Sequence, residues 1–398
     1  MNVVFDARVV QDHFPGIGRY AFNLLAELPG LLETGEALIV LHDPAARNTR
    51  YDLAGLRNRC GKQVMWMEYR RSVFDIRSVL RAPVVPQPNP TVIHYPYYVR
   101  PRATRPPSVT TIFDAISFVY PQYVPSLRAQ LSIRILHQIA IGASRRIITI
   151  SQSAARELTR FFPSIAAKLA VVPLAADPAF QPQAESHIAH ARAYFDLPPR
   201  FALYLGSNKP HKNLVRLIEA WRVVIGNWRL EFEGASLDSP LPSPHSPIPL
   251  VIAGHQDPRY PEAQAHARAL GMEQWVHFIG SVSDAQAAAL YSACDLFVYP
   301  SLHEGFGLTV LEAMACGAPV ACSNCSSLPE VAGDAALMFD PEQPQAIAEA
   351  CLRVLHDDAL RAQLRARSLE QAARFSWRET ARQTMDVYRS AIERARPA

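Results

Sequence analysis

The 398-residue chain contains no run of 18 consecutive apolar residues, which argues against an ordinary membrane-spanning helix of about 20 residues. Its start, MNVVFDARVV, lacks the basic opening and small-residue cleavage site of a secretory signal and reads as a β-strand. A cytoplasmic protein is the expectation. Cysteine is scarce: of Cys60, Cys294, Cys316, Cys322, Cys325 and Cys351, only Cys322 and Cys325 form a C-x-x-C pair, and no second pair or histidine cluster stands beside it. Neither a zinc site nor a disulfide framework is expected, and the thiols read as reduced and mostly buried. Hydrophobic residues make up 49% of the chain and charged ones 19%, the balance of a globular protein. The length exceeds one ordinary core, so two domains are expected.

Net charge is only +4 but unevenly spread. Residues 1–175 carry 21 Lys and Arg against 11 Asp and Glu, a balance of +10, and the remainder carries −6. A basic first half suits an anionic partner such as membrane phospholipid, a lipid diphosphate or nucleic acid, or else is an ordinary solvated surface. A helical pattern from Ser126 to Ala143 places Arg128, Arg134 and His137 among Leu127, Leu131, Ile133 and Leu136, with Arg145 and Arg146 following. That composition suits a helix lying on a membrane surface, or a sheet-packing helix with a basic outer face.

Short β-rich runs alternate with helical ones twice along the chain. The first set includes Val3 to Asp6, the helical Gly18 to Leu28, Ala37 to His42, Val92 to Tyr95, Val109 to Asp114 and Arg146 to Ile150. The second includes Phe201 to Gly206, the helical Asn213 to Val224, Pro249 to Ala253, Val276 to Ile279 and Leu296 to Tyr299. Alternation of this kind predicts an α/β protein with two doubly wound parallel sheets. The expected domains are residues 1–180 and 200–375, joined by a Pro-, Gln- and Ala-rich linker over 177–199. The Pro- and Ser-rich segment 234–249 reads as a flexible insertion. A last helical segment, about 376–398, offers Trp377, Met385, Val387 and Tyr388 as buried positions.

The stretch from Ser301 to Pro319, SLHEGFGLTVLEAMACGAP, sets Glu304 and Glu312 on either side of a glycine-rich turn that opens an apolar helix. Backbone N–H groups of Gly305, Phe306, Gly307, Leu308 and Thr309 are then available at a helix start, where the macrodipole also favours an anion. A diphosphate fits there. Carboxylates repel phosphate, so the two glutamates are better suited to accepting hydrogen bonds from hydroxyls on either side of it. A nucleotide sugar has ribose hydroxyls at one end and sugar hydroxyls at the other. The plainer alternative is a Glu-Gly turn that caps a core helix.

These residues, continued by EAMACGAPV and by SLPEVAGD from Ser327, resemble the motif of retaining GT-B glycosyltransferases of family 4, the glycosyl transferases group 1, in which seven residues separate two glutamates. The resemblance implies two Rossmann-like domains facing a cleft, with the last helix crossing back onto the first domain. It gives Glu304 the donor sugar and Glu312 the ribose. In Gly206-Ser-Asn-Lys-Pro-His-Lys-Asn, Lys212 resembles the family lysine that neutralises the donor phosphates, where charge builds as the nucleoside diphosphate departs. Many relatives place an arginine directly after that glycine; this chain has Ser207, with Asn208 or Lys209 as substitutes. The segment Asp6-Ala-Arg with Phe14-Pro-Gly-Ile-Gly-Arg-Tyr is similar to the start of mannosyl- and rhamnosyl-type members. It implies Gly16 and Gly18 near donor phosphate and Arg19 on the acceptor side.

Two strand ends supply further candidates for the acceptor, His94 and Asp114. Relatives usually read His-Asp where this chain reads Phe113-Asp114, so His94 is either a candidate to supply an equivalent contact or a structural histidine at a strand end. By the resemblance, Lys212, Glu304 and Asp114 are the catalytic candidates. No Asp-x-Asp occurs, and a metal-independent reaction without cofactor is expected. The implied reaction is retaining transfer of a hexose, mannose from GDP-mannose by preference, to a glycan or lipid-linked saccharide in cell-surface polysaccharide synthesis. The implied partners are the nucleotide-sugar donor and that acceptor, with no nucleic acid; the basic N-terminal domain adds peripheral contact with anionic membrane at the inner face as a separate expectation. UDP-glucose or another hexosyl donor, a catalytically silent nucleotide-sugar binder, and an NAD(P)-dependent oxidoreductase built on the Gly16 turn are the alternatives.

Overall fold

A computed structural model describes residues 1–85, 90–231 and 248–394. The expected insertion at 234–249 lies almost wholly outside the described residues. The chain divides into two compact units, one of residues 1–175 with 375–398, the other of residues 176–374. Each is built on one sheet whose strand pairs are all parallel.

In the N-terminal unit the strands are β1 (Asn2–Asp6), β2 (Ala37–His42), β3 (Val64–Glu68), β4 (Val92–Tyr95), β5 (Ser108–Thr111), β6 (Arg146–Thr149) and β7 (Leu169–Val171). Their order is β3-β2-β1-β4-β5-β6-β7. The second unit has β8 (Ala202–Leu205), β9 (Leu250–Ala253), β10 (Val276–Gly280), β11 (Leu296–Tyr299), β12 (Val320–Ser323) and β13 (Ala336–Phe339), in the order β10-β9-β8-β11-β12-β13. Central strands such as β4, β5, β9 and β11 are buried along their whole length. That is why they read as continuous apolar or β-branched runs rather than as alternating ones.

In both sheets the winding reverses between adjacent strands, at β1/β4 and at β8/β11. Ligands of doubly wound sheets bind outside the carboxyl ends of strands at such a reversal. The chain leaves β8 at Gly206 and β11 at Pro300, so the two motif loops of the second unit emerge side by side at its reversal. Close passage fixes one residue there. Gly254, after β9, has φ +122°, and a Cβ on it would collide with the Gly206 backbone carbonyl. Only glycine combines that backbone conformation with that contact.

Two sequence expectations change. The stretch read as a linker contains the helix Glu185–Tyr194, which buries Ile188 and Ala191 within the second unit; its alanine-rich pattern has too few large apolar residues to declare a face. The first helix begins at Pro15 rather than Gly18, running Pro15–Glu27 with proline in its first turn, a position where the missing N–H costs nothing. The final helix, Trp377–Glu393, packs in the N-terminal unit, where it buries Trp377, Met385, Val387 and Tyr388. The Thr380 hydroxyl donates to the Pro173 carbonyl at 2.8 Å.

Candidate active site

The loop after β8 and the loop after β11 are laced together before any charged group enters. Leu302 N–H donates to the His211 carbonyl at 2.8 Å, and the Ser301 hydroxyl donates to the same carbonyl at 3.2 Å. Asn213, in the left-handed region at φ +63°, donates its amide to the carbonyls of Pro300 and Pro341. This lacing holds Lys212 against Glu304. The lysine Nζ donates to Glu304 Oε1 at 2.6 Å and to the Tyr299 hydroxyl at 2.8 Å, and each of the two charged side chains is only 14% exposed.

Burial opposes the Glu304 charge, but Lys212, by charge and hydrogen bond, outweighs it and draws the carboxyl below its ordinary value. Tyr299 moves the other way: burial and then the Glu304 charge push its phenol well above 10, with Glu312 adding to the rise. The Thr309 hydroxyl hydrogen-bonds to it as well. Thus Lys212, Glu304 and Thr309, read separately from two motifs, meet on one phenol at the end of β11, and the Glu312 charge acts on it through space. Tyr299 itself carried no signal in the sequence beyond an aromatic in an apolar run, which speaks only of burial.

The main chain of Glu304 is clamped separately. Its N–H donates to Ser326 Oγ at 2.8 Å, while the Ser326 and Ser327 hydroxyls donate to its carbonyl at 2.5 and 2.9 Å. Directly beyond, Gly307 adopts φ +104°, and a Cβ there would approach Leu328 Cδ2 to 2.8 Å. The helix Leu308–Ala315 starts at that glycine, with Val310 and Leu311 N–H groups returning to the Gly307 carbonyl and no side chain capping the end. Of the segment Gly305 to Thr309, Phe306 turns its ring inward and is 5% exposed. Glu312 sits on this helix, buried, and after burial itself its charge helps push the Cys316 thiol up to about 12.

Other expected residues are placed differently. Asn208 uses its amide on the fold: it donates to the Asp257 and Tyr260 carbonyls at 2.9 and 2.6 Å and accepts from Asp257 N–H at 2.7 Å. It is a staple for the 257–260 turn rather than a ligand contact. Ser207 accepts at its carbonyl from the Tyr204 hydroxyl, and Lys209 is exposed at the start of the short helix Pro210–Lys212.

In the N-terminal unit, His94 is fully buried, with Nδ1 2.7 Å from the Tyr388 hydroxyl and Nε2 2.8 Å from Thr111 Oγ1. Both ring nitrogens are occupied, so His94 does not supply the acceptor contact expected of it. Burial lowers its pKa to about 3, and the ring is neutral. Thr111 in turn meets the Tyr20 hydroxyl at 3.0 Å, so one buried polar chain joins the first helix, β4, β5 and the last helix. Asp114 is half-buried after β5 and accepts from Ile116 N–H at 3.0 Å. Phe113, in the place of the family histidine, packs edge-on against Tyr20 at 5.1 Å. Gly16 has open space around its Cα; Gly18 faces Tyr51 and the Val9 carbonyl; and Arg19 is half-buried one residue on. Asp6 holds Arg8 through paired hydrogen bonds of 2.8 and 2.6 Å, both side chains buried.

Comparison with known proteins supplies the family. The family model of glycosyl transferases group 1 matches residues 188–371. The O-antigen chain mannosyltransferase B of Escherichia coli is 30% identical over 410 aligned positions, covering 98% of this chain and all of that protein. Solved structures of the same fold include sucrose-phosphate synthase from Thermosynechococcus elongatus, with a TM-score of 0.65, 19% identity and 98% coverage of each chain. Another is HepE of Anabaena, in complex with UDP and glucose, with a TM-score of 0.65, 18% identity and coverage of 97% of this chain and 98% of that one. With two parallel sheets, the group 1 match over the Lys212 and Glu304 loops and a full-length mannosyltransferase relative, the chain belongs to the glycosyl transferases group 1 family.

Proposed function

We propose that this glycosyltransferase moves mannose from GDP-mannose, with retention of anomeric configuration, to a growing glycan or lipid-linked saccharide. The observation that carries the reading is the Lys212–Glu304–Tyr299 contact beside the glycine-started helix. A cation fixed at a helix start suits a diphosphate, and two ionised or buried carboxylates nearby suit hydroxyls rather than phosphate. The mannosyltransferase relative supports the choice of sugar.

In this reading Lys212 and the amides from Gly305 to Thr309 hold the diphosphate. Glu304 orients the sugar, and Glu312 receives the ribose. As the sugar–phosphate bond lengthens, negative charge grows on the leaving diphosphate, and Lys212 stabilises it without need of a metal. The acceptor hydroxyl attacks from the face the diphosphate leaves, and the diphosphate oxygen takes its proton. Asp114 and Arg19 of the N-terminal unit are assigned to the acceptor, and the first turn around Gly16 and Gly18 to donor phosphate. Tyr299 holds the Lys212 ammonium in place and is a positioning residue.

The test is a thermal-shift panel of GDP-mannose, UDP-glucose and NADP on the wild type and on Glu312→Ala and Lys212→Ala. Stabilisation by GDP-mannose that both substitutions remove is expected. Stabilisation by UDP-glucose alone would overturn the donor assignment, and stabilisation that survives both substitutions would overturn the site.

A further inference from the structure

The +10 balance of the first 175 residues does not come from all of them. Residues 1–75 contain nine Lys and Arg and nine Asp and Glu, whereas residues 76–176 contain twelve basic residues and two acids, Asp114 and Glu157. One acid-poor segment therefore produces the whole excess. The helix Leu127–Ala143 lies within it, capped by the Ser126 side chain.

The helix packs inward through His137, Ala140 and Ile141. His137 contributes no surface charge: its ring stacks on Tyr98 at 4.0 Å, Nδ1 lies 2.8 Å from the Ile133 carbonyl, and burial lowers its pKa to about 4. The outward face is not the plain basic face of a sheet-packing helix. Leu127, Leu131 and Ile135 stand there 80%, 60% and 45% exposed, at the spacing of four residues that lines side chains along one stripe. At about 100° per residue, Arg134 falls on one flank of that stripe and Arg128 on the other. Arg145, just past the helix end, is also exposed. None of these three arginines forms an ion pair among the described residues.

We propose that this face docks on an anionic lipid bilayer, with Leu127, Leu131 and Ile135 entering the headgroup boundary and Arg128, Arg134 and Arg145 meeting lipid phosphate. An apolar stripe left in water between cations that have no carboxylate partner is the pattern of a helix that lies in a membrane interface, where the stripe leaves water and the cations stay at headgroup level. Charge complementarity selects anionic lipid over a second copy of this chain, whose matching face would bring like charges together. No helix among the described residues is long and apolar enough to cross a membrane. The docking does not depend on the donor reading, since lipid binding is measured without donor or turnover.

The experiment is co-flotation of the full chain with vesicles of phosphatidylcholine alone or mixed equally with phosphatidylglycerol. The wild type is expected to float with the mixed vesicles at low salt and to lose most of that binding at about 0.5 M salt. Leu127→Ser/Leu131→Ser/Ile135→Ser, checked to melt within a few degrees of the wild type, is expected to lose at least tenfold in partition. Arg128→Gln/Arg134→Gln is expected to lose roughly fivefold per arginine. Absence of wild-type flotation would overturn the proposal, as would undiminished binding by the triple variant. A wild-type dimer that the triple variant converts to monomer would overturn it in favour of self-association.

Discussion

Replacing His94 with glutamine should flatten the acid limb of the stability of the N-terminal unit. His94 is fully buried, both nitrogens are hydrogen-bonded, and burial takes its pKa to about 3 in the folded chain, against about 6.5 when unfolded. Below pH 6.5 the unfolded chain gains a proton that the folded chain refuses until about pH 3. The stability that comes from keeping the ring neutral is therefore complete above pH 6.5 and falls as pH drops through that window. The slope approaches 1.36 kcal/mol per pH unit, and integration from pH 7 to pH 5 gives about 2 kcal/mol. Glutamine keeps partial hydrogen bonding but does not titrate; losing good geometry to Tyr388 and Thr111 should cost roughly 1–3 kcal/mol near neutral pH. Urea unfolding, followed for each unit at several pH values, should then show the gap between wild type and His94→Gln narrowing by about 2 kcal/mol at pH 5. Parallel curves would refute the claim that a neutral, sealed histidine joins β4 to the last helix.

Gly254→Ala should destabilise the second unit by roughly 3 kcal/mol or more, because φ +122° and the adjacent Gly206 carbonyl both exclude a Cβ; denaturant unfolding checks this, and a change under about 1 kcal/mol would mean the strand ends separate easily. Asn208→Ala removes three hydrogen bonds to the 257–260 turn and should cost roughly 2–4 kcal/mol. Because its amide is committed to that turn, donor affinity in the folded fraction should change little; a large rise in the donor dissociation constant with intact stability would instead return Asn208 to the ligand.

The parallel sheets were legible because their central strands are buried on both sides and so appear as unbroken apolar or β-branched runs. The two motif loops after β8 and β11 stood out for a different reason: a glycine turn between two glutamates, and a lysine after a strand, are unusual combinations with a chemical motive. What the sequence hid was hydrogen bonding at a distance. Nothing local marks Asn208 as a staple for residues fifty positions away, or Tyr299 as the phenol on which Lys212 and Glu304 meet. His94 looked like a strand-end ligand until the last helix, almost three hundred residues later, supplied Tyr388 to close it off. The outer face of the Leu127–Ala143 helix was half legible: its arginines were plain, but an inward His137 and an outward Leu127 become distinguishable only once the packing direction is known.

The central claim is that Lys212 stabilises the departing diphosphate while Glu304 orients the donor sugar. The most direct measurement is turnover of GDP-mannose, as transfer or as hydrolysis, by the wild type, Lys212→Met, Glu304→Gln and the double variant, with melting temperatures recorded for each. Lys212→Met takes the countercharge from a Glu304 carboxyl that is only 14% exposed and whose charge burial opposes, so the double variant separates loss of stability from loss of chemistry. The account predicts kcat lower by about 10²–10³ in Lys212→Met, and no recovery in the double variant even where its stability returns. Wild-type turnover that Lys212→Met retains within a fewfold would contradict it.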